Sequence, residues 1–134
     1  MVNTSGDQLD QLLEPNPEPA IDRSVLELNL GALGDEIDEC IGFLTETFLE
    51  DVPNLLAAIH QGLEDGNASD VRFNVHTLKS SSATLGATHL AKLCLMLENQ
   101  SKVGDLSHGV PLHKAIEVEF ERVKVGLLQI VNHE

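Results

Sequence analysis

Eight apolar residues, Ile37, Ile41, Leu44, Phe48, Val52, Leu55, Ile59 and Leu63, recur at intervals of three or four positions. At about 100° of helical turn per residue they stay within one narrow stripe. A stripe of that length demands an amphipathic helix with one face buried against other helices. Pro53 lies inside the segment but projects away from the stripe, and the phase carries through it. One helix, kinked near Pro53, is therefore expected. A break at Asp51 is the alternative, because proline costs a helix interior about 3 kcal/mol. Gly66 closes the segment.

The rest of the chain repeats this pattern in shorter pieces. Residues 22–33 suit a short helix with Leu26, Leu30 and Leu33 on one side, weakened at its end by Gly31 and Gly34. Residues 68–85 carry a buried stripe of Val71, Val75, Leu78, Ser82 and Leu85, and Gly86 ends it. Thr88 can cap the next helix, whose stripe is Leu90, Leu93, Cys94 and Leu97. Residues 103–109, with Gly104 and Gly109, read as a loop, and Pro111 suits the first turn of a last helix. That helix buries Leu112, Ile116, Phe120, Val123, Leu127 and Ile130. No period-two pattern competes. The connections at 66–68 and 86–88 are short, which makes neighbouring helices antiparallel. The expected fold is all-α: an antiparallel up-and-down four-helix bundle with a short extra N-terminal helix, spanning residues 21–134. Residues 1–20, where Pro15, Pro17 and Pro19 alternate with Asn16 and Glu18, read as a flexible tail or linker.

Several function classes are disfavoured at this stage. A chain of 134 residues is one domain by length. Its net charge of −14 repels phosphate backbones and anionic lipid, so nucleic acid and membrane surfaces are poor partners. Even the longest apolar runs, such as Leu93 to Leu97, are far too short for membrane insertion. Cys40 and Cys94 fall in helical patterns and suit core positions, which fits a reducing, cytoplasmic setting. His60, His89, His108, His113 and His133 do not follow a glutamate at Glu-x-x-His spacing, so no metal is assigned. The pair His60 and Glu64, one turn apart, reads as a surface contact. Glu46, Glu50, Asp51, Glu64 and Asp65 read as a solvated face.

The remaining histidine is different. With Val71 at the centre of the buried face, His76 sits about 140° away, in mid-helix and toward solvent. Its helical neighbours are Arg72 and Phe73 one turn before, and Lys79 and Ser80 one turn after. Ala83 lies two turns on. Wheel position alone describes an ordinary surface histidine, and Arg72 alone an ordinary surface cation. Together the residues suit phosphoryl transfer. Neutral imidazole, with a reference pKa of about 6.5, is a good nucleophile near neutral pH. Small neighbours let a partner approach closely, and nearby cations offset the roughly −1.5 to −2 charge of a phosphoryl group. No glycine-rich phosphate loop or Walker lysine motif accompanies them, so a partner must supply the rest of the chemistry.

The stretch His76-Thr77-Leu78-Lys79-Ser80-Ser81-Ser82-Ala83-Thr84-Leu85-Gly86-Ala87 resembles the signature of the histidine phosphotransfer (HPt) family. That signature is His, two residues, Lys, usually Gly, one residue, a small residue, and Gly-Ala about four later. The resemblance extends over residues 35–130 through the order of the helices. It implies that His76 is phosphorylated at Nε2, that Lys79 stabilises the phosphoryl group, that Ser82 backs the site and that Gly86 ends the helix. Ser80 stands where the family usually has Gly, which touches partner choice and transfer rate. Arg72, Phe73, Lys79, Ser80 and Ala83 are the expected partner-contacting face. The resemblance further implies a monomer that is not an enzyme and binds no cofactor itself. Its partners would be response-regulator receiver domains and a hybrid sensor histidine kinase, with Mg2+ on the partner receiver. Two other readings remain at this point: the phosphoacceptor input domain of a chemotaxis-type kinase, and a docking bundle that is never phosphorylated.

Overall fold

A computed structural model describes residues 4–14 and 16–132, the side chains of residues 4–8, 32, 33 and 35 excepted. Pro15, the Leu33 side chain and His133, on which parts of the sequence reading fall, lie outside the described residues. Among the described residues there are six α-helices: α1 (Thr4–Leu13), α2 (Arg23–Leu30), α3 (Ile37–Asp65), α4 (Ala68–Thr84), α5 (Thr88–Lys102) and α6 (Gly109–Asn132). A 3-10 segment, Gly31–Glu36, joins α2 to α3.

Helices α3 to α6 form the expected antiparallel bundle. Each packs on its two neighbours around a square, α3 on α4 and α6, α5 on α4 and α6. Their stripes meet inside. Val71, Val75, Leu78 and Leu85 from the third stripe and Leu90, Leu93, Cys94 and Leu97 from the fourth are all buried. Leu112, Ile116, Phe120, Val123 and Leu127 come in from α6. Each such side chain contributes about 1.5–3 kcal/mol of transfer free energy. Phe48 and Phe120 meet across the α3–α6 contact with ring centroids 5.9 Å apart.

α3 runs unbroken through Pro53, so the break at Asp51 does not occur. Pro53 is exposed. The buried set is Ile41, Thr45, Phe48, Val52, Leu56, Ile59 and Gly62, while Leu44, Leu55 and Leu63 are only partly covered. α3 thus presents a slightly rotated face, because it must serve α4 and α6 at once. The Thr88 cap is also not formed. Ala87 takes the N-cap position and no side chain caps the helix. The turn after α4 draws Ala87 in, its N–H donating to the Ser82 carbonyl at 2.9 Å, so α5 starts before a threonine hydroxyl can act.

The largest departure is at the N-terminus. Residues 4–13 are helical rather than an extended tail. Leu9 is buried and Leu12 and Leu13 pack against the core, a spacing of three and four that puts them on one side of α1. α1 rests on α5 and α6. After the extended proline segment, Ala20 and Ile21 are buried as well. Arg122 holds this strap down: its Nη2 donates to the Glu18 carbonyl at 2.7 Å, while Nη1 pairs with the buried Glu119 carboxylate at 2.9 Å.

Gly86 is the other anchor. The Asp22 N–H donates to the Gly86 carbonyl at 2.7 Å. The Asp22 carboxylate caps α2 by accepting from the Ser24 and Val25 N–H groups. From α2, the Asn29 side-chain amide donates to the Ala83 and Thr84 carbonyls at the end of α4. Gly86 has φ of +79°, and a Cβ there would lie 2.5 Å from the Asp22 carbonyl oxygen. Both backbone conformation and space therefore exclude a side chain. Gly86→Ala is expected to lower stability by roughly 2–3 kcal/mol in urea unfolding; an unchanged midpoint would contradict this seating of the strap.

Candidate functional site

α4 buries Val71, Val75, Leu78 and Ser82 and turns the opposite face outward. His76 stands in the middle of that face with 58% of its side chain exposed. Arg72, Phe73, Ser80 and Ala83 are exposed around it, Phe73 at 71%. The structure thus gathers His76, Lys79, Ser80, Ala83, Phe73 and Arg72 on one helix surface, as their spacing requires. Asn67 caps the N-terminus of α4, accepting from the Asp70 N–H at 3.1 Å.

The imidazole is not free to rotate. Its Nδ1 lies 2.7 Å from Oε2 of Glu98, a residue of α5 whose side chain is only 3% exposed. The other oxygen, Oε1, takes the Lys79 ammonium at 2.6 Å, with Lys79 itself 27% exposed. One buried carboxylate therefore holds both His76 and Lys79 of α4. The α4–α5 contact places it: Glu98 follows Cys94 by four residues, on the side of α5 that faces α4.

Two competing effects set the state of Glu98. Burial pushes its carboxyl up, but the Lys79 ammonium and the His76 ring outweigh burial and hold it below the ordinary value of 4.5. It is an anion at neutral pH and can only accept. The hydrogen in the 2.7 Å contact therefore sits on Nδ1 of His76. In the neutral ring this leaves the Nε2 lone pair unprotonated, on the atom away from Glu98. Beneath, burial and then the Glu98 charge push the Cys94 thiol far up, so it stays a protonated core residue.

Ser82 sits fully buried, its hydroxyl donating to the Leu78 carbonyl at 2.7 Å. It backs the helix by being small and satisfied, without reaching the imidazole. Ser80 is exposed, and among the described residues its hydroxyl donates to no partner. Gly86 closes the turn after α4 in a left-handed conformation. Cys40 is half-buried against the core, and Cys94 is in it.

Glu98 is the residue that the sequence reading missed. The signal is visible in retrospect: a glutamate continues the stripe of Leu90, Cys94 and Leu97, a position where an acid is not expected unless paired. A groove of about 970 Å³ lies between residues 19–23 and α6, and neither His76, Lys79 nor Glu98 lines it. Among the described residues no set of three His, Cys, Asp or Glu side chains is arranged to hold a metal ion. No described helix is long and apolar enough to cross a membrane.

A family model described as the Hpt domain matches residues 44–126, more than half of the 134-residue chain. The fold is similar to the crystal structure of histidine-containing phosphotransfer protein B (HptB) from Pseudomonas aeruginosa PAO1, with a TM-score of 0.75 and 29% sequence identity. The match covers 87% of this chain and 97% of that one. Comparison with curated protein sequences gives no significant match. Hpt proteins are phosphotransfer intermediates that work with receiver domains and histidine kinases rather than enzymes with ATP sites of their own. An all-helical bundle, a signature helix and a matching relative lead to one conclusion: this chain belongs to the Hpt domain family and acts in histidine phosphotransfer within a phosphorelay.

Proposed function

We propose that His76 carries the phosphoryl group and that Nε2 is the attacking atom. The observation that carries this reading is the 2.7 Å contact between Nδ1 of an exposed, mid-helix histidine and a buried carboxylate. The Nε2 lone pair attacks the phosphorus of a receiver's aspartyl phosphate. An N–P bond forms, the bond from phosphorus to the aspartyl oxygen breaks, and the receiver's carboxylate leaves with the electron pair. Positive charge builds on the ring during attack, and Glu98 stabilises it through the Nδ1–H it already holds. Return of the phosphoryl group to a receiver aspartate reverses these steps.

Lys79 is placed one turn from His76, on the same carboxylate. Its ammonium is near enough to follow the phosphoryl oxygens once they arrive, and Ser82 keeps the helix closed beneath. Arg72, Phe73, Ser80 and Ala83 form the small, mixed surface on which the receiver rests. The domain binds no cofactor; the receiver is expected to bring Mg2+ and its own acidic groups. The donor is the receiver of a hybrid sensor kinase, and the acceptor is the receiver of a response regulator. Free cysteines suit a cytoplasmic setting, and a net charge of −14 favours a monomer through self-repulsion.

Incubation with a phosphorylated receiver is expected to leave acid-labile phosphate on the wild type and none on His76→Gln. Label on the variant would remove His76 from the mechanism. Glu98→Gln replaces an acceptor-only group with one that must point an NH2 at either Lys79 or the ring. Facing the ring, it favours the tautomer with hydrogen on Nε2. Transfer to Glu98→Gln from the same receiver is expected to slow by roughly tenfold or more; an unchanged rate would show that the tautomer does not matter.

The same carboxylate sets a pH dependence. A folded-state value below 4.5 means that Glu98 adds stability above about pH 4.5, lost as pH falls through its folded value. The wild type should exceed Glu98→Gln by roughly 1–2 kcal/mol at pH 7. Urea unfolding should find that gap closing below pH 4.5; a gap constant to pH 3 would contradict the ionised, paired state.

A further inference from the structure

One turn beyond His76 on α4 the surface opens into a groove between α3 and α4. It has a volume of about 270 Å³, and Leu44, Phe48, Leu55, Asp51, Ser80 and Thr84 are among its lining residues. Leu44, Phe48, Val52 and Leu55 give it an apolar floor, hydroxyl-bearing residues edge it, and Asp51 is the only ionisable group in the lining. Asp51 is exposed and makes no ion pair among the described residues. Among the described residues the Ser80 hydroxyl has no acceptor either, whereas the Thr84 hydroxyl is tied to the Ser80 carbonyl at 3.0 Å. The groove therefore joins an apolar channel to one uncompensated carboxylate and one uncommitted hydroxyl, beside the residue that reacts.

We propose that this groove takes a single lysine or arginine side chain of the docking receiver, with Asp51 as its counter-ion, and that it selects among receivers. The inference rests on His76 being the site of transfer. A long cationic side chain matches the lining: its aliphatic stem lies along Leu44, Phe48 and Leu55, and its charged head reaches the rim. A purely apolar side chain would cover Asp51 without a partner, and a carboxylate would meet like charge, so both are rejected. The protein's charge of −14 draws a basic docking face in the same direction. Asp51 is thus more than part of a solvated acidic face. Ser80, in the place usually held by glycine, gives this chain a hydroxyl at the groove wall nearest His76.

The test compares wild type, Asp51→Asn and Asp51→Lys. Each is offered a panel of phosphorylated receivers at concentrations well below saturation and, separately, phosphoramidate as a small donor that needs no docking. For receivers that serve the wild type, transfer should fall about tenfold in Asp51→Lys and by a smaller factor in Asp51→Asn. Labelling by phosphoramidate should be equal in all three. One Lys or Arg→Glu exchange on the receiver's docking face should restore transfer to Asp51→Lys. Equal transfer to all three proteins from every receiver overturns the groove proposal and leaves His76 as the relay residue. A wild type that takes no phosphate from any receiver overturns the relay reading, and the groove proposal with it.

Discussion

A carboxylate that is 97% removed from solvent is costly unless its charge is answered, and the Glu98 carboxylate is answered twice by residues of one helix. Most of the site follows from that constraint. His76 and Lys79 are three residues apart on α4, nearly one turn, and Glu98 reaches both from α5. The ion pair ties the two helices together at the point where the proposed transfer requires rigidity. Without it, the ring of an exposed histidine would sample rotamers and tautomers freely. With it, one nitrogen holds hydrogen and the other presents a lone pair.

The bundle supplies the reach. α4 and α5 are joined by three residues, and the left-handed Gly86 between them accepts from Asp22 of the N-terminal strap. Asp22 in turn starts α2, and Asn29 of α2 caps the end of α4. The signature Gly-Ala thus belongs to the tertiary structure as much as to the helix it ends. Ala87 is fully buried, and the Asp22 carbonyl oxygen lies where a Cβ at Gly86 would have to go. These contacts hold the turn after the His76 helix from behind, while the face that carries His76 stays exposed.

Much of this was legible in the sequence. The stripes of α3 to α6 are long, and each repeats at the helical period, so the bundle and its antiparallel order followed from spacing and loop length. The outward direction of His76 followed from the same wheel. What spacing hides is cross-helix pairing. Glu98 lies 22 residues from His76, and only the packed α4–α5 interface brings them to 2.7 Å. The α1 helix was missed because three prolines dominate the composition around it, while Leu9, Leu12 and Leu13 make only one short apolar turn. Thr88 looked like a cap because threonine favours that position, but the Gly86 turn had already claimed Ala87.

The central claim is that Glu98 makes Nε2 the reacting nitrogen of His76. Nitrogen-15 NMR of the imidazole, before and after phosphorylation with phosphoramidate, tests it most directly. The account predicts hydrogen on Nδ1 in the neutral ring and, after reaction, phosphorus coupled to Nε2. A neutral ring with hydrogen on Nε2, or phosphate found on Nδ1, would contradict it.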